Sequence, residues 1–177
     1  MERDPTRRRA LVVYESMFVN TAAVARAIGD GLGTRFDAVE VVDVSAAPLA
    51  LDAYDLVVVG GPTHAFGPSR PGTRRSAREQ GSGAPDRGVR EWLAELSAPA
   101  TPAPAAAAFD TRLQTWFPTG SAARGIRRRL RRLGFRVGAT TSFDVAGTAG
   151  PLVTDALEAA RRFGASIPAP SPTSVAR

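Results

Sequence analysis

The chain has 177 residues and carries 23 basic side chains, every one of them arginine, against 17 acidic ones, for a formal net charge of +6. It has no cysteine, no lysine and one histidine, His64, which excludes disulfides, thiolate nucleophiles, iron–sulfur clusters, histidine-rich metal sites, Walker A loops and Schiff-base chemistry. Length and a hydrophobic content of 44% suit one domain with a full core, and a charged start with no apolar stretch behind it points to the cytoplasm.

Residues 1–9 read as a charged N-terminal arm, 10–165 as the folded domain and 166–177 as a disordered, proline-rich tail. The unbroken apolar run Leu11–Val13 predicts a parallel strand buried on both faces, ended by Tyr14. Val24, Ile28 and Leu32 then recur at helical spacing among alanines, so a helix is expected from about Asn20, with Gly33 past its end. Ala38–Val44 alternates like a half-exposed edge strand, while Leu56–Val59 is a fully apolar run that predicts a central parallel strand broken by Gly60, Gly61 and Pro62.

Segment 69–88 is arginine-rich without hydrophobic period, an insert that reads as a long loop or a short surface helix. Helical spacing returns at Val89, Trp92, Leu93 and Leu96. Ala105–Phe109 is a poor strand by propensity, but the alternation of strands and helices demands one there. Ser121–Leu133 puts Ile126, Leu130 and Leu133 on one stripe, Val137–Val145 is the last strand, and Leu152, Ala156, Ala160 and Phe163 mark the closing helix. Five strands alternating with helices make a doubly wound α/β domain with a parallel sheet, whose ligands bind beyond the carboxyl ends of the strands at the switch point.

Three polar loops meet there: 15–21, 61–67 and 110–120. The first precedes a helix, whose unpaired N–H groups and positive dipole end favour an anion, with Ser16, Asn20 and Thr21 as further donors. The same turn is also compatible with a plain helix cap, Asn20 serving as N-cap with no ligand. A phosphoacceptor aspartate at the end of the third strand is absent, Gly60 and Gly61 standing there, and so is a Gly-x-Gly-x-x-Gly after the first strand.

VVYESMFVNT resembles the flavodoxin signature of strand, hydroxyl-rich phosphate loop and Asn-Thr helix start, and VVVGGPTHAFG resembles the third strand of that family with its Pro-Thr-His flavin loop. The resemblance implies a flavodoxin-like five-stranded sheet of order 2-1-3-4-5 that binds FMN. By position, Ser16, Met17, Phe18, Val19, Asn20 and Thr21 would surround the phosphate and ribityl chain. Pro62, Thr63, His64, Ala65, Phe66 and Gly67 would line the flavin ring, with Asp110, Thr111 and Arg112 as contacts from the third loop and Trp116 as a stacking surface.

The implied role is electron transfer with a redox partner protein, or reduction of a small acceptor such as a quinone; an enzyme of this kind would be an FMN-dependent oxidoreductase. Val19 stands where flavodoxins commonly carry glycine, and the chain is basic where electron-carrier flavodoxins are usually acidic. A scaffold that has lost FMN and acts as a binding or regulatory module is therefore the alternative, with an arginine-driven nucleic-acid binder behind it.

Overall fold

Alternation along the central strands decides which helices cover which face. The computed structural model describes residues 7–64, 67–99, 101–115, 120–147 and 149–169. Strands β1 (Arg9–Tyr14) and β3 (Leu56–His64) send successive side chains to opposite sides of the sheet. Leu11, Val13, Val57 and Val59 pack with Trp92 and Leu93 of α3 (Val89–Glu95) and with Ile126 and Leu130 of α4 (Ala122–Arg132). Ala10, Val12, Leu56 and Val58 pack with Val24 and Ile28 of α1 (Asn20–Leu32) and Ala160 of α5 (Ala156–Ser166). Each fully buried valine, leucine or isoleucine in these layers contributes about 1.5–3 kcal/mol.

The parallel sheet is completed by β2 (Ala38–Asp43), β5 (Ala105–Leu113) and β6 (Arg136–Val145), in the order β2-β1-β3-β5-β6. The two-residue strand β4 (Gly67–Pro68) lies off this path, antiparallel to the end of β3. Without it, the five parallel strands have the expected order 2-1-3-4-5. The chain leaves β1 for β2 on one side and β3 on the other, so the carboxyl ends of β1 and β3 open a crevice at this reversal. Among the described residues, no helix is long and apolar enough to cross a membrane.

Three elements differ from the sequence reading. β3 does not stop at Val59 but runs to His64, pairing Gly60 with Phe109, Gly61 with Asp110 and Pro62 with Thr111. Gly60 is needed inside the strand, because a Cβ there would lie 2.2 Å from the Phe109 ring. Pro62 is tolerated because β1 pairs no further than Gly60, so the missing N–H leaves no ladder partner unanswered on that side. β5 likewise runs past Phe109 to Leu113, which puts Asp110, Thr111 and Arg112 in a strand and not in a loop. The third difference is in the insert: of the loop and the short surface helix expected there, the helix forms as α2 (Pro71–Glu79), but it is not confined to the surface, since it buries Arg74 and Ala77.

Candidate functional site

At the end of β1 the Glu15 N–H donates to the Gly60 carbonyl at 3.0 Å, fixing where loop 15–21 departs. Glu15 is buried, and its carboxylate accepts hydrogen bonds from the Ser69 hydroxyl and, at 2.9 Å, from the Val89 N–H that opens α3. Arg74, 1% exposed, donates to Ser69 Oγ at 2.8 Å and pairs with Glu91 at 2.9 Å. Burial pushes the Glu15 pKa above its ordinary value, with the Ser69 and Val89 hydrogen bonds and the Arg74 charge pulling the other way. Next to this network, buried Met17 packs on Ala77 and Ala84, with Phe18 against the same group. The first half of the loop is thus the attachment of segment 69–88 to the sheet.

The second half is built differently. Val19, not Asn20, is the N-cap of α1; it sits at φ 47°, ψ −22° in the left-handed region, gives the helix no side-chain cap and is 76% exposed. The Asn20 N–H donates to the Phe18 carbonyl, tightening the turn. Ser16 Oγ accepts the Ala22 N–H at 3.2 Å, which leaves its own hydrogen to donate. The amides of Phe18, Val19 and Thr21 donate to no group among the described residues. The first turn of α1 carries no acidic side chain, and the loop's one carboxylate, Glu15, is engaged on the α3 side. Unanswered N–H groups, a hydroxyl with a hydrogen to spare and a positive helix end are a donor set suited to an anion.

The end of β5 braces the start of α1, and the ends of β3 and β5 hold α4. Thr21 is buried with its Oγ1 2.7 Å from that of Thr111, joining α1 to β5. Asp110, fully buried, accepts the Ser121 hydroxyl at 2.6 Å, the Ala123 N–H at 2.9 Å and the Thr63 hydroxyl at 3.0 Å, while Thr63 Oγ1 accepts the Ala122 N–H at 2.9 Å. Its charge therefore holds the N-terminus of α4, where a carboxylate complements the helix dipole. Arg112 pairs with Asp144 of β6 at 3.1 Å. Asn20 reaches the turn before α5, where a Cβ on Gly150 would come within 2.8 Å of its amide.

Of the residues expected at the site, Ser16, Val19, Asn20 and Thr21 gather at the start of α1, with Thr111 beside them through Thr21. Pro62, Thr63 and His64 form the end of β3, and Gly67 pairs with His64 across the turn into β4. Burial holds the His64 pKa below its ordinary value, so near neutral pH the ring is uncharged, one nitrogen donating and the other accepting. Met17 is taken up by the packing on Ala77 and Ala84 and Arg112 by Asp144, while Asp110 gives Oδ2 to Thr63 and to Ser121 and Ala123 at the start of α4 and keeps Oδ1 buried with no partner among the described residues. Ala65, Phe66 and Trp116 lie outside the described residues. Sequence reasoning missed the Glu15–Ser69–Arg74 network; its one signal was an acidic residue directly after a fully apolar strand.

No protein-family model matches the chain, and no curated protein does. Solved structures do. A flavodoxin from the domain Archaea is 22% identical, with 89% of this chain and 94% of that one covered at a TM-score of 0.59. A flavodoxin from Streptococcus pneumonia TIGR4 is 15% identical, covering 88% and 94% at 0.60. The two-electron reduced flavodoxin of Megasphaera elsdenii is 18% identical, covering 86% and 98% at 0.55. The chain has the flavodoxin-like fold.

Proposed function

We propose that the chain binds FMN with its phosphate in loop 15–21 and works in the cytoplasm as an electron-transfer flavoprotein, taking electrons from a redox partner protein or passing them to a small acceptor such as a quinone. The observation that carries this reading is the second half of the loop. Its backbone turns through the left-handed region at Val19, even though the residue there is valine, and the amides of Phe18, Val19 and Thr21 have no partner among the described residues. The donor set fits a phosphate monoester: the amides of Phe18, Val19 and Thr21, the Ser16 hydroxyl and the α1 dipole, with no acidic residue in the first turn of α1. His64, uncharged at the end of β3, would offer either a donor or an acceptor to the ring edge. FMN supplies one- and two-electron redox chemistry when bound, and the residues of loop 15–21 and of the end of β3 would hold and orient it.

Titration of the full chain with FMN and with riboflavin tests the assignment. FMN is expected to bind at least tenfold more tightly, and flavin absorbance to remain with the protein through gel filtration. Equal affinity for the two flavins refutes the phosphate loop. The left-handed Val19 also supports the second reading, a scaffold emptied of flavin, which no detectable binding of either flavin would establish.

A further inference from the structure

A recess on the α3 and α4 face of the sheet borders the turn expected to line the flavin ring, sharing Gly67 with it. Between β4, α3 and α4 lies a cavity of about 560 Å³ whose walls carry Arg70, Arg90, Arg128, Arg129 and Arg132. Among the described residues, none of these five arginines is paired with a carboxylate. The acidic residues of α3 are turned elsewhere, Glu91 to Arg74 at 2.9 Å and Glu95 to Arg87 at 2.9 Å. Five like charges around one concavity repel one another, and among the described residues no carboxylate ion pair offsets that repulsion.

The cavity is also shaped. Gly125, Arg128, Arg129 and Arg132 recur at helical spacing, so α4 turns one stripe to the cavity while Ile126 and Leu130 face the core. Gly125 permits the close approach of α4 to β4, since a Cβ there would lie 2.9 Å from the Pro68 ring. Two guanidiniums are held in place: Arg90 donates to the Pro68 and Ser69 carbonyls at 2.9 and 3.1 Å, and Arg129 to the Leu93 carbonyl at 3.4 Å. Each keeps further N–H groups for a ligand. Leu93 and Pro68 add apolar surface between the charges.

We propose that this cavity is a binding site for an organic oligophosphate, of the nucleotide class. Arginine forks match phosphate oxygens, several charges in a row are needed to answer five guanidiniums, and the apolar lining suits an attached organic group. The volume is that of a small-molecule pocket. A nucleic-acid duplex presents a long convex backbone instead, whereas these arginines converge on one recess.

The test is calorimetric titration of the full chain with ATP and with inorganic tripolyphosphate at about 150 mM salt, where exposed charges are well screened. Both are expected to bind and to compete. The Arg128→Ala, Arg132→Ala double variant should weaken them at least tenfold; Arg128→Gln, Arg132→Gln should do the same. A control double variant on α5, Arg161→Ala, Arg162→Ala, should change affinity less than twofold. FMN affinity measured on all forms should stay constant, which separates this site from the flavin site and confirms folding. Absence of binding below millimolar, equal losses in the control, or duplex DNA that binds and is not displaced by ATP would each overturn the proposal.

Discussion

The two halves of loop 15–21 are built on opposite principles. Glu15, Met17 and Phe18 are tied down by buried hydrogen bonds and apolar packing to segment 69–88. Val19 holds a left-handed turn, and of the three amides from Val19 to Thr21 only that of Asn20 has a partner among the described residues, the Phe18 carbonyl. A residue in sparsely allowed backbone space persists only where its surroundings over-determine it. The first half, with its insert, is what fixes the second. Stability and binding are thus neighbours on one short stretch, and substitutions can separate them.

The largest expected effect comes from cutting the anchor. Arg74→Met keeps the bulk of a fully buried side chain but removes the partner of Ser69 and Glu91. Breaking a buried pair on one side costs about 3–5 kcal/mol; because Glu91 is only two-thirds covered, with 32% of its side chain exposed, the lower end is expected. Urea unfolding measures it. A midpoint within experimental error of wild type would mean that segment 69–88 is not held by this network.

This anchor shows where the sequence was readable and where it was not. The sheet order and the layers were legible because Leu11–Val13 and Leu56–Val59 are apolar without a break and Ile126 and Leu130 repeat at helical spacing. The ends of β3 and β5 were hidden, since Gly60, Pro62 and Asp110 are residues that normally end strands; each is kept by a partner distant in sequence, the Phe109 ring, the last pair of β1 and the N-terminus of α4. Segment 69–88 looked solvated because its burial rests on an arginine. Arg74 is interior only because Glu15, five residues past the start of β1's apolar core at Ala10, reaches Ser69 from the opposite side. No local pattern encodes that meeting.

Removing one donor from the binding half should be smaller and of another kind. Ser16→Ala takes away the hydroxyl that caps Ala22 and has a hydrogen to spare. A hydrogen bond to a charged group contributes about 1.5–3 kcal/mol, so FMN should bind roughly ten- to a hundredfold more weakly, with riboflavin unaffected. Stability should drop by about 0.5–1 kcal/mol through the lost cap. Fluorescence titration with both flavins reads the first effect. An equal loss for riboflavin would show that Ser16 supports the loop generally and not the phosphate.

Val19→Gly probes the strain itself. Valine at φ 47° costs about 1–3 kcal/mol, and being 76% exposed it returns little by packing. Glycine relieves that cost and adds about 0.5–1 kcal/mol of chain entropy in the unfolded state, so the net gain should be near 1 kcal/mol. Thermal unfolding checks it, with FMN affinity equal or higher. A destabilised variant would mean that the Val19 side chain holds the turn through contacts of its own.

The last contrast carries a direction and no size. Burial places the Glu15 pKa above its ordinary 4.5, so between 4.5 and the raised value the folded protein binds the proton more readily than the unfolded chain. Glu15 should therefore oppose folding when ionised, and acidification from neutral pH toward 4.5 should relieve it, with no further change below, where both states are protonated. His64 acts the other way in part of that window: its lowered pKa means that stability is lost as pH falls through its ordinary 6.5. Asp37, lowered from 3.8 by its bonds to Arg8, loses its contribution only below the window. The comparison that isolates Glu15 is wild type against Glu15→Gln, because His64 and Asp37 are common to both. Denaturation of the pair across pH 4.5 to 7 should show wild type gaining on the variant as pH falls. A constant difference would mean that the Ser69, Val89 and Arg74 contacts fully offset the burial, and that the anchor is as well satisfied in its charge as it is in its packing.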